Sequence, residues 1–175
     1  MGLAALPESP IRKMVMNDVG PALNFPALVR IAEYLGVDRR FVTFDEGVNY
    51  IRTVSAPFGP HTDEEWTKLA RDVLRQEENG QWRRHYDPAL AWPFQGLTEE
   101  SARQGEAALW AAYDAIRCPV LLVRGEESDL LTPETARQMT ERGPRARLVV
   151  VPGVGHAPTF MHEDQIAIAR SFLTG

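Results

Sequence analysis

The stretch VVVPGVGHAPTF runs apolar from Val149, then breaks at a glycine-rich turn that holds one histidine, His156. Asp129 stands 27 residues earlier (156 minus 129) in VLLVRGEESDLLTP, again just past an apolar run. A carboxylate beside an imidazole fixes the ring's tautomer and stabilises the imidazolium formed when the ring takes a proton, which is the acid–base part of nucleophilic catalysis. Singly, neither residue demands that reading. A loop histidine is commonly a surface residue, and Asp129 with Ser128 and Thr132 could serve the helix that opens near Pro133. Their order, each after one of two consecutive strands, is what joins them. Glu126 and Glu127 are the nearest rivals to Asp129 and rank behind it.

The elements that must position this pair follow from periodicity and turn residues. Residues 119–125, PVLLVRG, are a continuous apolar run of the kind buried on both faces of a sheet, and ARLVVVPG is read the same way. Between them TPETARQMTERG is a helix, with Thr132 as N-cap, Pro133 in the first position, Glu134 in the first turn and Gly143 beyond the end. EDQIAIARSFLTG closes the chain as an amphipathic helix, and a further helix covers roughly 98–116. Near the start, MGLAALPES reads as the end of a helix stopped by Pro7, and a short strand from about Lys13 to Met16 ends at NDVGP. Strands alternating with helices imply a parallel sheet, with reactive groups gathered at the strands' carboxyl ends. Gly153 and Gly155 allow the turn that points His156 inward.

Residues 24–104 differ in character. PALVRIAEYLG, FDEGVNYIRTVSAPFG and TDEEWTKLARDVLRQ carry helical patterns, the last opened by a capping box of Thr62 and Glu65. No strand is expected here. Most of the chain's aromatic residues fall in this segment, so it reads as a helical insertion with an apolar inner surface. Phe58 and Trp92, together with Phe160 beyond the histidine, are the candidates for lining a substrate site, although aromatics at helical spacing are more often core than pocket. His85–Asp87 and Met161–Asp164 contain ligand-type residues without a second cluster at metal spacing, and are read as solvated.

Composition narrows the function class. With a formal charge of −5, the chain is unsuited to binding a phosphate backbone, so no nucleic-acid partner is expected. No window reaches the roughly 18 consecutive apolar residues of a membrane span, and the N-terminus lacks the basic and apolar regions of a secretory signal. One cysteine, Cys118, makes neither an internal disulfide nor a thiolate metal cluster. A soluble cytoplasmic protein without metal or cofactor is the expectation, and glycine-rich nucleotide signatures are absent.

LLVRGEESDLLTPE followed by VVVPGVGHAPTF resembles the last third of an α/β-hydrolase, where the acid follows one late strand and the histidine the next. ALPESPIRKMVMNDVGP is similar to the segment that links the helix behind the nucleophile to the following strand. The 24–104 insertion matches the position of that family's helical cap. The resemblance implies a partial α/β-hydrolase fold: a short parallel sheet of about three strands with flanking helices. Residues 1–23 and 105–175 would form the core, and 24–104 the cap. It implies catalytic roles for Asp129 and His156 on a small, apolar substrate. In some members the acid comes from the earlier strand end, where Asp18 stands here; turn hydrogen bonds to its own backbone are the favoured reading of Asp18.

The family's nucleophile sits in a G-x-S-x-G elbow, and none of Ser9, Ser55, Ser101, Ser128 or Ser171 stands in that motif. The elbow and the oxyanion-hole donors would lie before Met1, so the isolated chain is expected to be inactive or nearly so. A serine elbow would suit esters or carbon–carbon bonds, whereas an aspartate would suit haloalkane or epoxide substrates. The non-enzymatic alternative is a binding or assembly module. The sheet edge near Lys13 and Met16 is then expected to support self-association or complementation by an N-terminal piece.

Overall fold

The six residues of β5 (Val120–Gly125) are all buried, and the core is built around them. The computed structural model describes all 175 residues. Parallel pairing joins β5 to β1 (Met14–Asn17) on one side and to β6 (Arg147–Val151) on the other, in the order β1-β5-β6. A strand paired along both edges and covered on both faces has no solvent-facing position, hence its unbroken apolar sequence. Alternate side chains divide between the faces. Val120 and Leu122 join Met16, Tyr113, Leu131 and Met139 beneath α5 (Glu99–Asp114) and α6 (Pro133–Glu141). Leu121 and Val123 join Val151 and Val154 against Ile168 and Phe172 of α7 (Glu163–Thr174).

β6 departs from the expectation of a strand buried along its length. It lies at the sheet edge, with Arg147 and Val150 exposed. Its apolar run packs on both faces, with Leu148 against one cluster and Val149 and Val151 in the other, and the sequence alone does not distinguish an edge strand from a central one here. β1 is the opposite edge; Met14↔Val120 to Asn17↔Val123 is its only register. A short helix, α1 (Gly2–Ala5), packs with α5 and buries Ala4 in the first cluster.

The insertion begins with α2 (Phe25–Tyr34), α3 (Phe44–Val54) and α4 (Asp63–Val73). Thr62 and Glu65 form the expected capping box at the start of α4. The Thr62 N–H holds the Glu65 carboxyl below its usual range, with His162 adding to the effect. The insertion has its own core of Phe41, Val48, Ile51, Trp66, Ala70 and Leu74. It is not purely helical. β2 (Arg40–Phe41), β3 (Leu74–Gln76) and β4 (Trp82–Arg84) form an antiparallel sheet in the order β2-β4-β3. Strands of two or three residues are too short to display alternation, and β3 follows α4 without a break.

Candidate active site

Asp18 leaves the end of β1 in a left-handed conformation, φ 53°, that aspartate tolerates better than most residues. Its N–H first donates to Val123 O at 2.7 Å, extending the ladder to β5. The side chain is completely buried. Oδ1 accepts from the Gly125 N–H at 3.0 Å, and Oδ2 lies 2.8 Å from His156 Nδ1. The carboxylate is thus shared between two other loops, instead of folding back on its own turn as the sequence suggested.

His156 reaches that carboxylate from the loop after β6. Gly153, at φ 65°, makes the turn. The loop is then held by Glu127 N–H to Val154 O at 2.8 Å, Gly155 N–H to Pro57 O at 2.7 Å and Asn17 Nδ2 to Pro158 O at 2.9 Å. It crosses directly over the end of β5. A Cβ on Gly125 would lie 2.2 Å from Gly155 O and 2.5 Å from Val154 O, so only glycine admits the crossing. A carboxylate only accepts hydrogen bonds, so neutral His156 keeps its proton on Nδ1 and presents the Nε2 lone pair. No group of the chain hydrogen-bonds Nε2, and the ring remains about a quarter exposed.

Asp129 is engaged elsewhere. Its carboxylate takes a two-pronged contact from Arg30 of α2, with Nε to Oδ2 at 3.0 Å and Nη2 to Oδ1 at 2.8 Å. Asn24 Nδ2 donates to its backbone oxygen at 3.0 Å. Beneath the loop, buried Arg124 donates to Leu131 O, Glu126 O and Ser128 O. The 126–131 loop is therefore a docking point for the insertion, and the Asp129 carboxylate is paired with Arg30 and not with His156. The histidine's partner is Asp18, because β1 and β6 flank β5 on opposite sides and both of their loops fold over its end.

His156 opens onto a cavity of about 200 Å³ beneath the insertion. Ile51, Val54, Phe58, Leu69 and Val73 form its apolar wall, and Arg30, Tyr34, Arg84 and Tyr86 form the polar part. This is smaller than the roughly 300–1,000 Å³ typical of drug-sized ligand sites. Burial pushes the Tyr34 phenol up, against the pull of Arg30 and Arg84, so the hydroxyl stays protonated as a donor.

Of the expected lining residues, Phe58 is in this wall. Trp92 is not; it is 68% exposed and borders a separate, wider depression with Leu35, Val37 and Pro88. Nor is Phe160, which packs against the cluster of Leu121, Val123, Val151 and Val154. Sequence reasoning missed Arg30, Tyr34, Arg84 and Tyr86. Arg84 stands just before His85–Asp87, the run expected to be solvated, and is itself buried within the insertion. His162, in the other run read as solvated, stacks at 5.0 Å on His61, and its Nε2 lies 3.3 Å from Glu65.

Comparison with known proteins places this geometry in context. Residues 3–170 match the model of the alpha/beta hydrolase family. The chain is 53% identical to the 3-hydroxybutyrate-oligomer hydrolase of Cupriavidus necator, an alignment covering all of this chain and 61% of that protein. A crystal structure of an alpha/beta hydrolase from Novosphingobium aromaticivorans is similar with a TM-score of 0.83 and 32% identity, over 98% of this chain and 60% of that one. A putative hydrolase from Rickettsia typhi shares the fold with the same TM-score at 22% identity, over 99% of this chain and 57% of that one. The chain thus spans about three fifths of the length of the relatives it matches.

Proposed function

We propose that this chain, which belongs to the alpha/beta hydrolase family, supplies the acid and the base of an ester-hydrolysing site, with Asp18 orienting His156. The observation that carries this is the 2.8 Å contact between buried Asp18 Oδ2 and His156 Nδ1, made at the wall of a cavity. In such a site Nε2 takes the proton of the attacking hydroxyl and later returns it to the leaving alcohol, while Asp18 holds the tautomer and stabilises the imidazolium. The nucleophile and oxyanion donors belong, in this reading, to a segment outside these 175 residues. The substrate class is a short oligoester of a small hydroxy acid. The 53% identical relative supports that class by its name, and the small, largely apolar cavity supports it by its size.

The isolated chain is then a poor catalyst, since one oxyanion donor alone is worth roughly 3 kcal/mol. The test assays 3-hydroxybutyrate dimer and p-nitrophenyl butyrate with two proteins. One is the chain alone; the other is the chain completed with the portion of the Cupriavidus necator relative that it does not match. The expected result is background cleavage by the chain and robust cleavage by the completed protein that disappears with His156→Ala. A completed protein that cleaves neither ester, or cleaves them equally well without His156, overturns the reading.

A second reading, assembly through the sheet, draws on the unpaired edge of β1. A parallel edge with free N–H and C=O groups is a template for another strand. Sedimentation equilibrium of the isolated chain tests it: concentration-dependent association supports the reading, and a monomer at high micromolar concentration removes it.

A further inference from the structure

We propose that Arg84 binds the free carboxylate of the substrate, so that the site holds a hydroxyacyl ester between an anion anchor at Arg84 and the base at His156. This rests on the hydrolase reading above and names the end of the substrate by which it is held.

The observation is a buried cation without an anion. Arg84 is 9% exposed. Its Nη2 donates to Tyr34 O at 2.6 Å and to Val37 O at 2.8 Å, and its buried Nε has no partner. Arg30, Arg40, Arg52 and Arg83 of the same insertion each contact a carboxylate. Arg84 contacts none. Guanidinium does not discharge on burial, and a buried unpaired charge is costly unless something compensates it. Two aromatic rings do so in part, with the guanidinium carbon 4.8 Å from the Tyr86 ring centre and 5.6 Å from that of Tyr50. The two neutral carbonyls leave the positive charge uncancelled.

Arg84 also borders the cavity that His156 enters. The other arginine there, Arg30, is already neutralised by Asp129. The cavity therefore carries one uncompensated positive charge, an apolar wall and a base. A linear oligoester of a hydroxy acid offers the complement: one carboxylate at its end, short alkyl branches, and an ester carbonyl within a unit or two of that carboxylate. The Tyr34 hydroxyl, kept protonated by burial, is a second donor in the same wall. An anchor of this kind selects short, acid-terminated oligomers over neutral esters.

The test titrates the 175-residue chain, followed by 15N NMR, with 3-hydroxybutyrate dimer as the free acid and as its methyl ester. The acid is expected to bind about tenfold more tightly at pH 7, as a charge-assisted hydrogen bond would confer, and to shift the Arg84 Nε–H resonance. Arg84→Gln is expected to reduce the acid to the level of the ester, and Arg84→Lys to retain part of the preference. The acid–ester comparison on the unaltered chain needs no variant, so a poorly folded Arg84→Gln does not blunt the test. Equal binding of acid and ester, or binding of neither, overturns the proposal. Acid preference without His156-dependent cleavage in the completed protein would leave the anchor standing and remove the hydrolase reading. His156-dependent cleavage with no acid preference would do the opposite.

Discussion

Asp18 and His156 stand 138 residues apart in the chain and are joined by one hydrogen bond of 2.8 Å, each arriving from a different neighbour of β5. The Gly125 N–H, at the end of β5, binds the other oxygen of the same carboxylate. The carboxylate is thereby held by β5 through one oxygen and by the histidine through the other.

Exchange of this acid for its amide separates the two candidate carboxylates. In the completed protein, Asp18→Asn is expected to lower kcat by about ten-thousandfold, because an amide can donate to Nδ1 and favours the wrong tautomer. Asp129→Asn is expected to leave kcat within a few-fold of the parent. The 15N shifts of the His156 ring report the tautomer directly. A ring unchanged in Asp18→Asn but altered in Asp129→Asn would reverse the assignment.

Gly125→Ala is expected to destabilise the chain by about 3 kcal/mol or more, at the upper end of overpacking costs. The added methyl meets the backbone oxygens of Gly155 and Val154, which no rotamer can avoid. Urea denaturation checks the value. A loss below 1 kcal/mol would show that the histidine loop can lift from β5.

Arg30 and Asp129 form a two-pronged but half-exposed pair, with side chains 35% and 47% accessible. Solvent screening limits such a pair to roughly 0.2–1 kcal/mol. A double-mutant cycle with Arg30→Gln and Asp129→Asn is expected to fall in that range and to shrink in 1 M salt. A coupling above 2 kcal/mol would mean that the insertion depends on this contact for its place on the core.

Tyr113 gives the core a pH dependence. Its hydroxyl, fully buried, donates to Met139 O at 2.6 Å, and burial pushes the phenol up to about 12. The unfolded phenol ionises near pH 10, so above that pH the unfolded state releases a proton that the folded state retains. This contribution is intact below about pH 10 and is lost as pH rises toward 12. Tyr113→Phe should remove this alkaline slope and cost about 0.5–1.5 kcal/mol at pH 7, since Met139 O still accepts from Ala146 N–H. Denaturant midpoints measured from pH 8 to 11 test both effects.

The sequence disclosed whatever was local and strongly patterned. The all-buried run of β5, the caps Thr62 and Thr132, and the turn that holds His156 each follow from a few adjacent residues. It could not show which acid meets the histidine. Asp129 and Asp18 both follow strands, and the choice is made by Arg30, which lies 99 residues from Asp129 and claims it. The small sheet of the insertion was legible in one respect only. Asn79-Gly80 is a strong hairpin signal, with Gly80 at φ 85°. The flanking Leu74–Gln76 and Trp82–Arg84 lack the alternation that would have drawn attention to it. Arg84 escaped notice because nothing in a charged run reveals that one member turns inward.

The register of β1 on β5 has a kinetic corollary. Met14↔Val120 closes a separation of 106 residues (120 minus 14), whereas Gln76↔Trp82 closes only six (82 minus 76). Distant pairings slow folding far more than they weaken the folded state, because each doubling of a loop adds only about 0.6 kcal/mol. Refolding should therefore start with such local contacts and reach the pairing of β1 with β5 last. Stopped-flow measurements should give Met16→Ala a φ-value near 0 and Ala70→Gly one above 0.5, with the reverse order refuting the sequence of events. The roof over the cavity is then in place before Asp18 and His156 ever meet beneath it.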